Sequence, residues 1–178
     1  MPGHFRPPAV YHPRVSLLRT LPLGLAAAFA ALTVGAGTSI SLRGPLPDLT
    51  LHFRLDPLGA FFLVWSLPMT LLGSVYAVGY LRRFFATERH VGVHYALLNM
   101  TALAFVVVYT ADHALVFLLG WEIAALAAWL LVIWDYADQK VRFAGFNYLV
   151  STHVGLMFLV AAFMILYTHS ASWELDSF

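Results

Sequence analysis

Five runs of apolar residues, each about as long as a bilayer is thick, constrain this chain more than any other feature. They fall at about residues 15–40, 58–81, 92–110, 114–134 and 143–168. A helix needs roughly 20 mostly apolar residues to cross about 30 Å of hydrocarbon. The composition agrees: 61% of the 178 residues are hydrophobic and 11% are charged, where a soluble domain carries about 25% charged residues. The expected fold is therefore all-α, a polytopic membrane helix bundle of about five transmembrane helices. A polar N-terminal segment (residues 1–14) precedes the bundle (15–168), and a polar tail (169–178) follows it.

The first run follows Arg6, Arg14 and Arg19 and ends near small residues, a pattern shared with signal peptides. Its length, and the further spans behind it, favour a retained helix. Pro68 falls inside the second run, and membrane helices tolerate such breaks. Lys and Arg are distributed unevenly about the spans. Arg6, Arg14, Arg19, Arg82, Arg83, Arg89, Lys140 and Arg142 fall on one side, Arg43 and Arg54 on the other. The excess marks the cytoplasmic side, so the N-terminus is expected there and the C-terminus opposite. Trp65, Trp121, Trp129, Trp134 and Trp173 fit interfacial belts, and His94 is expected at an interface too. The alanines around Ala124–Ala128 allow close backbone approach between helices.

The same inventory narrows the chemistry. A net charge of +1 supplies no basic patch for a nucleic acid, and the partner implied is the lipid bilayer. With no cysteine, disulfides, thiolate metal sites and cysteine nucleophiles are excluded. Of nine acidic residues, Glu122 alone lies near the middle of a span. A charge there costs about 2.5–3.5 kcal/mol even on the insertion scale. The bilayer favours the neutral carboxyl, which can then take up and return a proton. A carboxyl kept neutral and hydrogen-bonded between helices would serve structure instead, and both readings stay open.

His153, about ten residues into the fifth run, falls at nearly the same depth as Glu122 if the two helices are antiparallel, close enough for a relay through water. At 100° per residue, Asn147, Ser151, Thr152 and Gly155 form a small, polar face of the kind that marks helix–helix contact. His153 points to the opposite, apolar side. A histidine so placed must be covered by protein, whether it carries protons or only packs. Haem ligation would need a second histidine at the same depth, and His94 lies too near the end of its span.

Four strings carry a family resemblance. They are His52-Phe53-Arg54-Leu55-Asp56-Pro57-Leu58-Gly59-Ala60-Phe61-Phe62, Ser74-Val75-Tyr76-Ala77-Val78-Gly79-Tyr80-Leu81, Phe117-Leu118-Leu119-Gly120-Trp121-Glu122 and Tyr148-Leu149-Val150-Ser151-Thr152-His153-Val154-Gly155. In this order and spacing the chain resembles the antiporter-like, proton-conducting membrane subunits of respiratory complex I, Mrp-type cation/proton antiporters and energy-converting hydrogenases. It looks most like the branch that holds the large membrane subunits of hydrogenase-4 and formate hydrogenlyase.

The resemblance implies that Glu122 is the membrane glutamate which the family pairs with a lysine on a later helix, and that His153 lies near the proton path. It also implies an N-terminal portion of a larger subunit, with the lysine-bearing helix supplied by another chain, because the single lysine here, Lys140, falls in a connection. The expected function is a partial proton-translocating subunit of the inner (plasma) membrane, coupled to electron transfer by other membrane-arm subunits. Iron–sulfur, nickel or flavin cofactors are expected only in those partners, and none in this chain. The alternative is a non-conducting structural or assembly fragment of such a complex.

Overall fold

The computed structural model describes residues 38–43, 50–84 and 91–178. The polar segment over 1–14 and the first expected span through residue 37 lie outside the described residues. By Thr38 the chain is a strand, so the apolar run read as continuing to residue 40 gives way sooner. Strands β1 (Thr38–Arg43) and β2 (Thr50–Leu55) pair antiparallel, in register from Thr38 opposite Leu55 to Arg43 opposite Thr50. Their sequences, Thr-Ser-Ile-Ser-Leu-Arg and Thr-Leu-His-Phe-Arg-Leu, alternate polar and apolar residues with the period of a strand.

Four described helices are long and apolar enough to cross a membrane. Helix α1 (Pro57–Tyr80) is started by Asp56, whose Oδ1 accepts the Gly59 N–H at 2.6 Å, with Pro57 in its first turn; both devices favour initiation. It continues through Pro68, which has no N–H for the Val64 carbonyl. Helix α2 (Val91–Thr110) returns beside it, and Gly59 makes the crossing possible: a Cβ there would run into the Tyr109 carbonyl oxygen.

Helix α3 (Ala114–Val132) packs on α2 through small residues. Ala124, Ala125 and Ala127 are buried, and a Cβ on Gly120 would lie 2.9 Å from Val107 Cγ1. The alanine run read as allowing close backbone approach does so here. A 3-10 turn at Ile133–Asp135 ends the helix.

Helix α4 (Gln139–Ser170) starts four residues before its apolar run. Asp138 caps it by accepting the Lys140 N–H at 2.8 Å, and Arg142 turns back to the Tyr136 carbonyl at 2.7 Å. Polar residues read as a connection thus become the first helical turn. The helix stops at Ala171, whose φ of 55° is left-handed. That conformation costs an alanine about 1 kcal/mol or more and glycine little.

The end of the bundle where α1 and α3 begin is tied shut. The Asp112 N–H donates to the His52 carbonyl (3.0 Å), the Leu175 N–H to the Asp112 carbonyl (3.1 Å), and the Ala114 N–H to the Trp173 carbonyl (2.8 Å). Arg54 joins all three segments, donating to Asp112 at 3.1 Å and to both carboxylate oxygens of Asp176. Burial pushes the Asp112 carboxyl up, and Arg54 draws it only part of the way back. The Arg54 guanidinium is raised, chiefly by its hydrogen bonds to Asp176.

Two sets of variants test this packing. Gly59→Ala should lower stability by about 1–3 kcal/mol, as overpacking does, whereas Ala171→Gly should raise it by about 1 kcal/mol; thermal melts in detergent, followed by tryptophan fluorescence, read both. Because the folded-state pKa of Asp112 lies above its unfolded value, its contribution is complete below the unfolded pKa and is lost as pH rises through the folded one. Asp112→Asn should therefore leave the tail as protease-resistant at pH 7 as it is in the unsubstituted chain. Arg54→Ala should release residues 171–178 to cleavage at pH 5 and pH 7 alike.

Candidate functional site

Helices α3 and α4 are antiparallel and share one register. Phe117 meets Phe163 edge-on at 5.6 Å between ring centroids, and Gly145 lies against Ile133 near the other end. Between these contacts, His153 Nε2 stands 3.1 Å from Glu122 Oε1. Glu122 is eight residues in from Ala114, roughly 12 Å of helical rise, and so in the middle of its span. The two residues singled out from sequence are therefore in direct contact, closer than a relay through water requires.

The second nitrogen of the ring decides the protonation. His153 Nδ1 lies 2.9 Å from the Leu149 carbonyl oxygen one turn back in α4. A carbonyl can only accept, so Nδ1 carries a proton. Nε2 then faces the carboxyl with its remaining valence. An unprotonated Nε2 against an ionised carboxylate would set lone pair against lone pair. The contact is favourable when one proton lies between them, either as a carboxyl O–H donating to imidazole or as an imidazolium N–H donating to carboxylate.

The site is not sealed by this chain. The Glu122 and His153 side chains are 29% and 39% exposed, and Trp121, beside Glu122, is exposed at mid-span and stacked on Phe117. That tryptophan is seven residues in from Ala114, away from both ends of α3. A shallow groove lined by Trp121, Gly155, Phe158, Leu159 and Ala162 runs along this side.

The small, polar face of α4 does not make the contact with α3. Asn147, Ser151 and Gly155 are exposed, and a Cβ on Gly155 would meet nothing within 4 Å. Thr152 is half-buried and turns its hydroxyl to the Tyr148 and Leu149 carbonyls, 3.0 Å each. Within the described residues α4 is buried at Gly145 and Phe163, while Phe146, Val150 and Met157 on the apolar side are exposed.

His94, in the first turn of α2, is buried by protein. It is 8% exposed, with its ring 4.8 Å from Trp134, 6.0 Å from Tyr80 and 6.4 Å from Tyr95 between ring centroids. No local pattern marks such burial, since the surrounding rings come from three segments. Among the described residues, no group of three or more His, Cys, Asp or Glu is placed to hold a metal ion.

Residues 111–178, which include both Glu122 and His153, match the transmembrane family of NADH:quinone oxidoreductase and Mrp antiporter proteins. An uncharacterised protein of Mycobacterium tuberculosis is 33% identical over 122 residues, covering 68% of this chain and 18% of that protein. NADH-quinone oxidoreductase subunit L of Escherichia coli is 35% identical over 107 residues, covering 57% and 18%. Hydrogenase-4 component B of the same organism is 26% identical over 147 residues, covering 80% and 21%.

The chain thus spans about a fifth of the length of these relatives. Among solved structures, the membrane-bound sulfane sulfur reductase, an archaeal respiratory membrane complex, has a chain that superimposes with a TM-score of 0.62 at 19% identity. That match covers 93% of this chain and 26% of the other, and it speaks for the fold. In sequence this chain is similar to antiporter-like membrane subunits of NADH-quinone oxidoreductase and hydrogenase-4, and residues 111–178 carry the match to the NADH:quinone oxidoreductase/Mrp antiporter family.

Proposed function

We propose that the chain forms part of a proton-translocating membrane subunit in which Glu122 and His153 act as a one-proton relay. The observation that carries this reading is the 3.1 Å contact at mid-span, with Nδ1 committed to the Leu149 carbonyl. Moving the shared proton across that contact interconverts a neutral pair and an ion pair without moving either helix. A change in the local field then decides which member holds it, and that is how charge displacement elsewhere in a membrane arm would drive uptake or release.

The family likeness adds a partner. The family pairs the glutamate at the position of Glu122 with a lysine on a later helix. Lys140, the one lysine in this sequence, is at the exposed start of α4. His153 is the nearest ionisable partner of Glu122 in these residues, and the exposed side of the pair is where a lysine-bearing helix would approach. Electron-transfer cofactors, whether iron–sulfur, nickel or flavin, would reside in neighbouring subunits. An inner-membrane location with the arginine-rich connections facing the cytoplasm fits the same reading.

The test uses the assembled complex reconstituted in vesicles, with proton translocation and electron transfer measured together. Glu122→Gln keeps the size and removes the exchangeable proton; translocation should fall on the order of 10²-fold, as for loss of a positioned proton carrier, with electron transfer retained in part. His153→Gln should lower translocation in the same direction. A proton-to-electron ratio unchanged in both variants would reduce the pair to a latch between helices and reject the relay.

A further inference from the structure

Two grooves run along α3 and α4, and they differ in chemistry. The one beside Trp121 has no charged residue in its lining. The other, of about 250 Å³, lies where α3 ends and α4 begins, and is lined by Trp129, Ile133, Tyr136, Arg142, Phe146 and Leu149. Gly145 lets the two helices meet here: a Cβ would run into Ile133 Cγ2 and would stand 3.5 Å from Trp129 Nε1. Phe146, next to that glycine, is left exposed, as is Tyr136.

Arg142 gives this groove a polar end. Its Nη1 donates to the Tyr136 carbonyl at 2.7 Å and to the Ala137 carbonyl at 3.2 Å. These bonds hold the guanidinium at the α3–α4 connection and leave its charge in place, since a carbonyl carries none. Among the described residues no carboxylate pairs with it. Neither Asp135 nor Asp138 is in the lining, and Asp138 Oδ1 accepts the Lys140 N–H instead. From Arg142 the lining runs along α4 through Phe146 to Leu149, about 10 Å of helical rise. Basic pockets between membrane helices bind anionic lipid headgroups, and Trp and Tyr suit the headgroup level.

We propose that this groove binds one membrane phospholipid with an anionic headgroup, its phosphate on the Arg142 guanidinium and an acyl chain over Ile133, Phe146 and Leu149. Charge complementarity selects the occupant. A zwitterionic lipid would bring its own cation to the arginine, and an apolar helix would leave the guanidinium without an anion. Arg142 is about 16 Å of helical rise from His153, so the site is separate from the Glu122–His153 pair and does not depend on the role given to it.

Native mass spectrometry tests this on the full chain, released from detergent micelles that hold equal amounts of phosphatidylglycerol and phosphatidylcholine. The chain should retain phosphatidylglycerol about fivefold over phosphatidylcholine, the factor given by about 1 kcal/mol per arginine at an anionic surface. Arg142→Gln should remove that preference with the helical circular dichroism unchanged. Arg82→Gln, at an exposed arginine in the turn after α1, should keep it. Free glycerol phosphate should not displace the lipid, because it brings no acyl chain to the apolar lining. Equal retention of the two lipids by the unsubstituted chain would overturn the proposal. So would a preference that survives Arg142→Gln, one that falls equally with Arg82→Gln, or displacement by glycerol phosphate.

Discussion

On the proposed function a carboxyl and an imidazole 3.1 Å apart at mid-helix share one proton, since an unprotonated Nε2 would set its lone pair against a carboxylate. Neither residue alone imposes that condition. It arises because the Leu149 carbonyl takes the other ring nitrogen, so the imidazole cannot change tautomer to avoid the carboxylate. Much of α3 and α4 follows from keeping this contact in place. Phe117 on Phe163 and Ile133 against Gly145 fix the register on either side of it, and a slip of one residue in α4 would rotate the ring by about 100°.

The rest of the described fold holds α3 still. Its small residues let α2 approach closely, and the arginine at the strand end of the bundle ties the hairpin, the α2–α3 connection and the tail together. The tail returns to the start of α3 through the Trp173 carbonyl. Both ends of α4 are therefore referenced to α3, while its face bearing Asn147, Ser151 and Gly155 looks outward. An outward face of small and polar residues suits contact with protein better than contact with lipid.

The helices were legible because apolar length is a strong signal that does not depend on tertiary contacts. Glu122 was legible for the same reason, as a charge where none is cheap. His153 could be placed at the right depth, since antiparallel helices convert residue counts into height. Its contact could not be read, since rotation about the helix axis is set by packing. The wheel sorted α4 into a polar and an apolar face, yet it could not say where α3 would pack, which Gly145 and Phe163 mark. The hairpin was not read, because the apolar run was carried through residue 40, although Thr38–Arg43 and Thr50–Leu55 alternate polar and apolar residues. The burial of His94 was not legible at all, since Tyr80, Tyr95 and Trp134 converge on it from three segments.

The shared proton can be observed without measuring transport. Nitrogen-15 solid-state NMR of the His153 imidazole in lipid vesicles reports the state of each ring nitrogen separately. The proposed pair predicts a protonated Nδ1 throughout and an Nε2 resonance that moves when Glu122 is replaced by glutamine, which cannot take part in proton exchange. A bare Nδ1, or an Nε2 resonance indifferent to Glu122→Gln, would contradict the one-proton pair on which the functional reading rests.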